Sequence, residues 1–118
     1  MVLTPEESVR QTCLLHLMDL GYAHKQIAVE KSIKVNTLIR RFDILVYDRQ
    51  GRPYLLVECK APAVRLSQTD LDQMSAYQYN LNCQLTWLTN GHTHHIHRFN
   101  AENRKAVDSI PKDLIKGS

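Results

Sequence analysis

The chain has no apolar run near the ~18 residues of a membrane span, and its N-terminus has no signal-peptide pattern. Neither a membrane partner nor secretion is therefore expected. Cysteine is scarce, and Cys13, Cys59 and Cys83 are odd in number and far apart. That excludes a disulfide framework and reads as buried reduced thiols in a cytoplasmic protein. No sequence repeat or low-complexity tract occurs, and Gly-x-x-x-x-Gly-Lys is missing, so no nucleotide cofactor is expected. Charge of neither sign dominates: 15 Lys and Arg against 12 Asp and Glu leave +3, which permits nucleic-acid binding without demanding it. What remains is an ordinary globular composition, 43% hydrophobic and 23% charged over 118 residues. This is enough for one compact domain, placed at residues 1–110 with a tail at 111–118.

Thr4-Pro5-Glu6-Glu7 predicts a helix start, with Thr4 as N-cap, Pro5 at the first helical position and Glu7 closing a capping box. The helix runs to about Leu20 and stops at Gly21, with Val9, Cys13, Leu17 and Leu20 on one side. Residues 22–34 read as a loop followed by a strand. A central hairpin spans about Arg40 to Lys60, turning at Asp48–Pro53. Ser67 caps a second helix to about Tyr79. Strands follow at Gln84–Thr89 and His94–Phe99 around the turn dipeptide Asn90-Gly91. Residues Ala101 to Val107 carry a weak helical pattern, broken by Pro111. The order α-β-β-β-α-β-β predicts an α/β (α+β) domain, a mixed sheet flanked by helices on both faces.

Counting outward from the central turn pairs Tyr47 with Tyr54, Leu45 with Leu56, and Asp43 with Glu58. Like charges directly opposite one another destabilise a sheet, so a cation between Asp43 and Glu58 would explain the pair. Hard cations such as Mg²⁺ take one or two carboxylates, and the Cys59 carbonyl offers a third protein oxygen. Lys60 projects from the same face as Glu58 and would orient an attacking water or offset charge on a phosphate. The alternative is a pair of solvent-facing strand carboxylates neutralised by Lys60.

Glu6 falls on the apolar face of the first helix, where a carboxylate is either paired or part of a site. The alternative is a frayed first turn in which Glu6 favours the helix dipole. Gln73 and Tyr77 stack four apart on one helix face. Their spacing is common by chance and gains weight only from following Glu58-x-Lys60. The stretch His92 to His97 invites a zinc reading, but no cysteine or carboxylate nearby completes a site. Arg40 and Arg41, with Arg49, Arg52 and Arg65, suit a phosphate backbone and equally suit a solvated surface.

Taken together, Phe42-Asp43, Glu58-Cys59-Lys60 and Gln73-Met74-Ser75-Ala76-Tyr77 resemble the PD-(D/E)xK nuclease superfamily. The segments TPEESVRQ, RRFDILVYD, LLVECKAP, QMSAYQY and LTNG resemble the N-terminal nuclease domain of type I restriction enzyme R subunits, from Thr4 to about Phe99. The resemblance implies a restriction-endonuclease-like fold and a Mg²⁺-dependent deoxyribonuclease, with Mn²⁺ able to substitute. It implies that Asp43 and Glu58 are metal ligands, Lys60 the catalytic lysine and Glu6 the helix carboxylate. Gln73 and Tyr77 match the glutamine and tyrosine of the helix after the lysine strand. Phe42 replaces the proline that precedes the aspartate in much of the superfamily. Neither motor nor specificity domain is expected, so a homodimer or larger restriction or repair assembly would supply DNA affinity. The reading from another class is a non-catalytic module that binds nucleic acid or a partner on the same fold.

Overall fold

The computed structural model describes residues 3–35, 37–100 and 103–112. Helix α1 (Pro5–Asp19) opens as its sequence predicts, with Thr4 Oγ1 accepting the Glu7 N–H at 3.1 Å. The reciprocal half of the capping box is absent, because the Glu7 carboxylate turns instead to Arg10 and Gln11. A short 3₁₀ turn (His24–Gln26) leads into β1 (Ile27–Val35), β2 (Leu38–Tyr47) and β3 (Pro53–Cys59). Helix α2 (Gln68–Leu81) has a complete capping box between Ser67 and Asp70. Strands β4 (Leu85–Thr89), β5 (His94–Phe99) and β6 (Arg104–Val107) complete the chain.

Among the described residues six strands form one sheet in sequence order, β1-β2-β3-β4-β5-β6. All neighbours are antiparallel except β3 and β4, which run parallel. A parallel pair needs a long crossover, and α2 is that crossover. Alternating side chains divide the interior between the two faces of the sheet. Ile44, Val46, Leu55, Val57 and Cys59 pack with Val9, Cys13 and Leu17 of α1. Leu45, Leu56 and Leu88 pack with Met74 of α2 on the opposite face. Burial on both sides explains why β2 and β3 read as nearly continuous apolar runs.

The expected register holds at Leu45 opposite Leu56 and fails at Tyr47, which pairs with Pro53 instead of Tyr54. A bulge between Val46 and Tyr47 takes up the difference. Pro53 has no N–H to give to the ladder, so regular pairing cannot continue through it. The turn closes through the Asp48 carboxylate, which accepts the Gln50 and Arg52 N–H groups at 2.9 Å each. Gly51 supplies its left-handed residue at φ +82°.

The C-terminal region departs from the sequence reading. Residues 104–107, expected as part of a weak helix, form β6 along the outer edge of β5, Ile96 pairing with Val107. Unpaired backbone groups on that edge outweigh a marginal helical propensity. Asn100 makes the turn, its side-chain oxygen accepting the Asn103 N–H at 2.9 Å. Residues 101–102 of the expected helix, and 113–118 of the expected tail, lie outside the described residues. At the expected boundary, Ile110 is buried and the Tyr22 hydroxyl donates to the Pro111 carbonyl at 2.7 Å. No helix among the described residues is long and apolar enough to cross a membrane.

Candidate active site

The site forms where β2 parts from β3. Their ladder pairs residues as far as Ile44 with Val57. Beyond that point two acidic side chains take over from the backbone. Cys59 donates its N–H to Asp43 Oδ2 at 2.8 Å, and Asp43 donates its N–H to Glu58 Oε1 at 3.2 Å. Meanwhile β3 stays with β4, Lys60 donating its N–H to the Thr89 carbonyl at 2.8 Å. The predicted opposition of Asp43 and Glu58 is thus present at the mouth of a gap between strand ends. Strict alternation would put Phe42 on the same face as Ile44, yet Phe42 belongs to the α2 cluster and Ile44 to the α1 cluster. The strand changes face at Asp43. On the neighbouring strand Glu30, between the pairs Val29–Ile44 and Lys31–Phe42, takes a left-handed φ of +52°. For a residue with a side chain this costs roughly 1 kcal/mol.

Burial pushes the Glu58 carboxyl up to about 7, and the Asp43 charge adds to it. The hydrogen bond from the Asp43 N–H and the Lys60 charge only partly oppose this. Two carboxylates in one gap with little access to water favour any cation that can reach both. Hard oxygens from Asp43 and Glu58, with the Cys59 backbone beside them, are a donor set that suits Mg²⁺ or Mn²⁺. Among the described residues no group of three or more His, Cys, Asp or Glu side chains gathers for a metal ion. Any cation here would therefore rest on the two acids, backbone oxygen, water and substrate.

One cation is already close. Arg10, one and a half turns into α1, reaches Asp43 Oδ1 at 3.4 Å and Glu30 Oε1 at 3.0 Å, and pairs with Glu7. Its Nε is buried without a hydrogen-bond partner among the described residues. Burial alone would lower the guanidinium pKa, but the charges of Glu7 and Glu30 raise it. Sequence reasoning missed Arg10. The available signal was its place four residues after Glu6 and three after Glu7, within reach of both acids along the helix surface. Glu6 itself is exposed and acts on Glu58 through its charge, raising the Glu58 pKa further.

On the α2 side, Glu58, Lys60, Asp70, Gln73, Met74, Tyr77 and Leu88 line one narrow cleft. Lys60 Nζ is 4.0 Å from Asp70 Oδ1 and its side chain remains 36% exposed, so the ammonium is held loosely and reaches solvent. Asp70 is fixed in turn by the Ser67 N–H and hydroxyl, each at 3.0 Å. Gln73 is exposed on the cleft rim. Tyr77 packs edge-on against Phe42, ring centres 5.2 Å apart. Phe42 thereby gives the tyrosine a wall. The structure brings Glu58, Lys60, Gln73 and Tyr77 to one cleft and joins Asp43 to it through Glu58, leaves Glu6 outside direct contact, and places Arg40, Arg41 and Arg65 on exposed surface.

Cys59 contributes only backbone to this gap. Its thiol lies in the α1 cluster, 4.0 Å from the Cys13 sulfur, and that contact, with burial, drives its pKa far above the ordinary range. The histidine strand serves the sheet. Indole nitrogen only donates, so the Trp87 Nε1–H bond to His94 Nδ1 (3.1 Å) makes that nitrogen an acceptor and puts the ring proton on Nε2.

A mixed sheet with a helix on each face, and acids and a lysine at a strand gap, defines a restriction-endonuclease-like domain. Residues 5–111 match the family described as Type I restriction enzyme R protein N terminus, and the chain belongs to that family. The fold resembles a fragment structure from Vibrio vulnificus YJ016, described as a candidate HsdR subunit of a type I restriction enzyme. The TM-score is 0.67 at 19% identity over 98% of this chain and 25% of the other. The chain thus spans a quarter of that solved fragment's length. A candidate nuclease belonging to DUF820 from Anabaena variabilis ATCC 29413 aligns at TM-score 0.61 and 15% identity, over 92% of this chain and 70% of the other. No curated protein is similar enough to match.

Proposed function

We propose that this domain is a Mg²⁺-dependent deoxyribonuclease that hydrolyses phosphodiester bonds endonucleolytically, with Mn²⁺ able to substitute. Asp43 and Glu58 would hold the cation, with the Cys59 carbonyl as a backbone ligand. Bound there, it supplies a Lewis acid that polarises the phosphate and acidifies water. The observation that carries this reading is the Asp43–Glu58 pair, bridged by the Asp43 N–H at 3.2 Å, with Glu58 pushed up to about 7. A buried acid pair of this kind is destabilising for a domain unless a cation repays it.

The chain's own groups divide the remaining work. Lys60 shares the cleft with Glu58 and keeps its ammonium partly in solvent, where it orients water or offsets charge gathering on the phosphate. Gln73 and the Tyr77 hydroxyl offer an amide and a phenol to the phosphate from α2, and Glu6 biases the field from α1. Arg40, Arg41 and Arg65 contact the DNA backbone. Arg10 holds Asp43 in place before a metal arrives and must share that carboxylate afterwards. A homodimer or a larger restriction or repair assembly supplies DNA affinity and a second strand cut.

Supercoiled plasmid incubated with Mg²⁺, Mn²⁺ or EDTA tests the proposal. Nicking that needs metal and disappears in Lys60→Ala supports it, and no nicking by the unaltered protein in either metal contradicts it. The second reading, a non-catalytic binding module, draws on Arg10, whose guanidinium already meets the Asp43 charge. It predicts DNA or partner binding with no cleavage under any metal.

A further inference from the structure

We infer that the outer half of the β1–β2 hairpin is a DNA-reading ribbon that lies in the major groove of double-stranded DNA beside the cleavage position. The inference rests on the nuclease reading for its substrate class and adds which form of nucleic acid is bound and by what. From Lys31 to Arg41 the sequence holds four cations (Lys31, Lys34, Arg40 and Arg41) and no acid. That stretch alone exceeds the +3 of the whole chain. All four are exposed. The register pairs Ile33 with Arg40, Lys34 with Ile39, Ser32 with Arg41 and Lys31 with Phe42. Because faces alternate along each strand, Lys31 and Arg40 share one face of the ribbon while Lys34 and Arg41 share the other.

The ribbon stands clear of the rest of the sheet, since β2 pairs with β3 only from Ile44 onward. At about 3.4 Å per residue, Leu38 to Phe42 extend it by roughly 14 Å. Ile33 and Phe42 anchor its base in the α2 cluster. Its outer part carries Leu38 and Ile39, 55% and 76% exposed. Leu38 shares a face with Arg40, and Ile39 with Lys34 and Arg41, so each face carries cations and an aliphatic side chain toward the tip. Cations on both faces match two phosphate walls, and the aliphatic tip matches the groove floor between them. The B-form major groove, about 12 Å wide, admits a two-stranded ribbon and displays thymine methyls to apolar side chains. The A-form major groove of duplex RNA is too narrow for one. Because the ribbon's base is Asp43, whatever fills it is held next to the proposed metal position.

The test is fluorescence anisotropy of a short labelled DNA duplex in EDTA across a salt series, so that binding is read without cleavage. Each phosphate contact contributes about 0.9 to the slope of log affinity against log salt, so Lys31→Ser/Lys34→Ser/Arg40→Ser/Arg41→Ser should lower the slope by about 3 to 4. Arg40→Ser alone should lower it by about 0.9, which keeps the test intact if the fourfold variant does not fold. Ile39→Ser should weaken duplex binding several-fold with the slope unchanged. Unchanged slopes in the folded variants would overturn the inference. So would equal affinity for an RNA duplex of the same sequence, or an Ile39→Ser variant that merely dissociates a dimer. A slope that falls as expected in a protein that never nicks plasmid sinks the catalytic reading alone.

Discussion

Arg10 places its guanidinium 3.4 Å from the Asp43 carboxylate, joining the first helix to the strand position at which β2 and β3 separate. Glu7 and Glu30 complete the ring of acids around it. The domain has thus built a protein cation into the negative field that the proposed metal would share.

Removing that cation leaves three acids facing one another. Arg10→Met should destabilise the metal-free protein by about 1–3 kcal/mol. Mg²⁺ or Mn²⁺ should then raise the melting temperature of the variant more than that of the unaltered protein. Thermal melts with and without metal decide it, and an equal metal response in both proteins would separate Arg10 from the site.

Glu58 gives a pH signature. Its carboxyl rises from an ordinary 4.5 to about 7 on folding. Between those values the folded state holds a proton that the unfolded state has released. Stability of the metal-free protein from this group is therefore full below 4.5 and is lost as pH rises through about 7. Glu58→Gln should flatten that slope, gaining on the order of 1–3 kcal/mol relative to the unaltered protein at pH 8. Urea melts at a series of pH values would measure it.

Much of this arrangement was legible in the residues. The turn at Asp48–Pro53 and the apolar runs on each side place Leu45 opposite Leu56, and from there Asp43 and Glu58 follow by counting. Parity could not reveal the side-chain bonds that replace the ladder beyond Ile44, nor the change of face that carries Phe42 to Tyr77. Arg10 escaped because its partners Glu30 and Asp43 are 20 and 33 residues away in sequence. Strand β6 escaped because its pairing is decided by the free edge of β5, while its own sequence carries a faint helical pattern.

Tyr77 packs on Phe42 and, in the proposed reading, offers its hydroxyl to the cleft, and substitution separates the two. Tyr77→Phe keeps the ring against Phe42 and should leave the melting temperature within about 2 °C, while nicking slows roughly tenfold if the hydroxyl serves the cleft. Tyr77→Ala removes the packing and should cost about 2–4 kcal/mol. Equal nicking by Tyr77→Phe would assign the residue to packing alone.

Asn90 is buried and fully engaged. Its amide donates to the Val64 carbonyl at 2.8 Å, and its oxygen accepts the His92 and Thr93 N–H groups at 2.9 and 2.7 Å. It ties the loop after Lys60 to the β4–β5 turn. Asn90→Ala should destabilise by about 2–3 kcal/mol, and hydrogen exchange should speed up at Val64 and Thr93. Unchanged exchange there would show that other contacts hold the loop.

Titration of Mn²⁺ by calorimetry into the unaltered protein, Asp43→Asn and Glu58→Gln asks whether these two acids hold a cation. Saturable binding to the unaltered chain is expected, and either substitution should abolish it while the fold persists. Heat signals that are the same in all three proteins, or absent in the unaltered one, would contradict it.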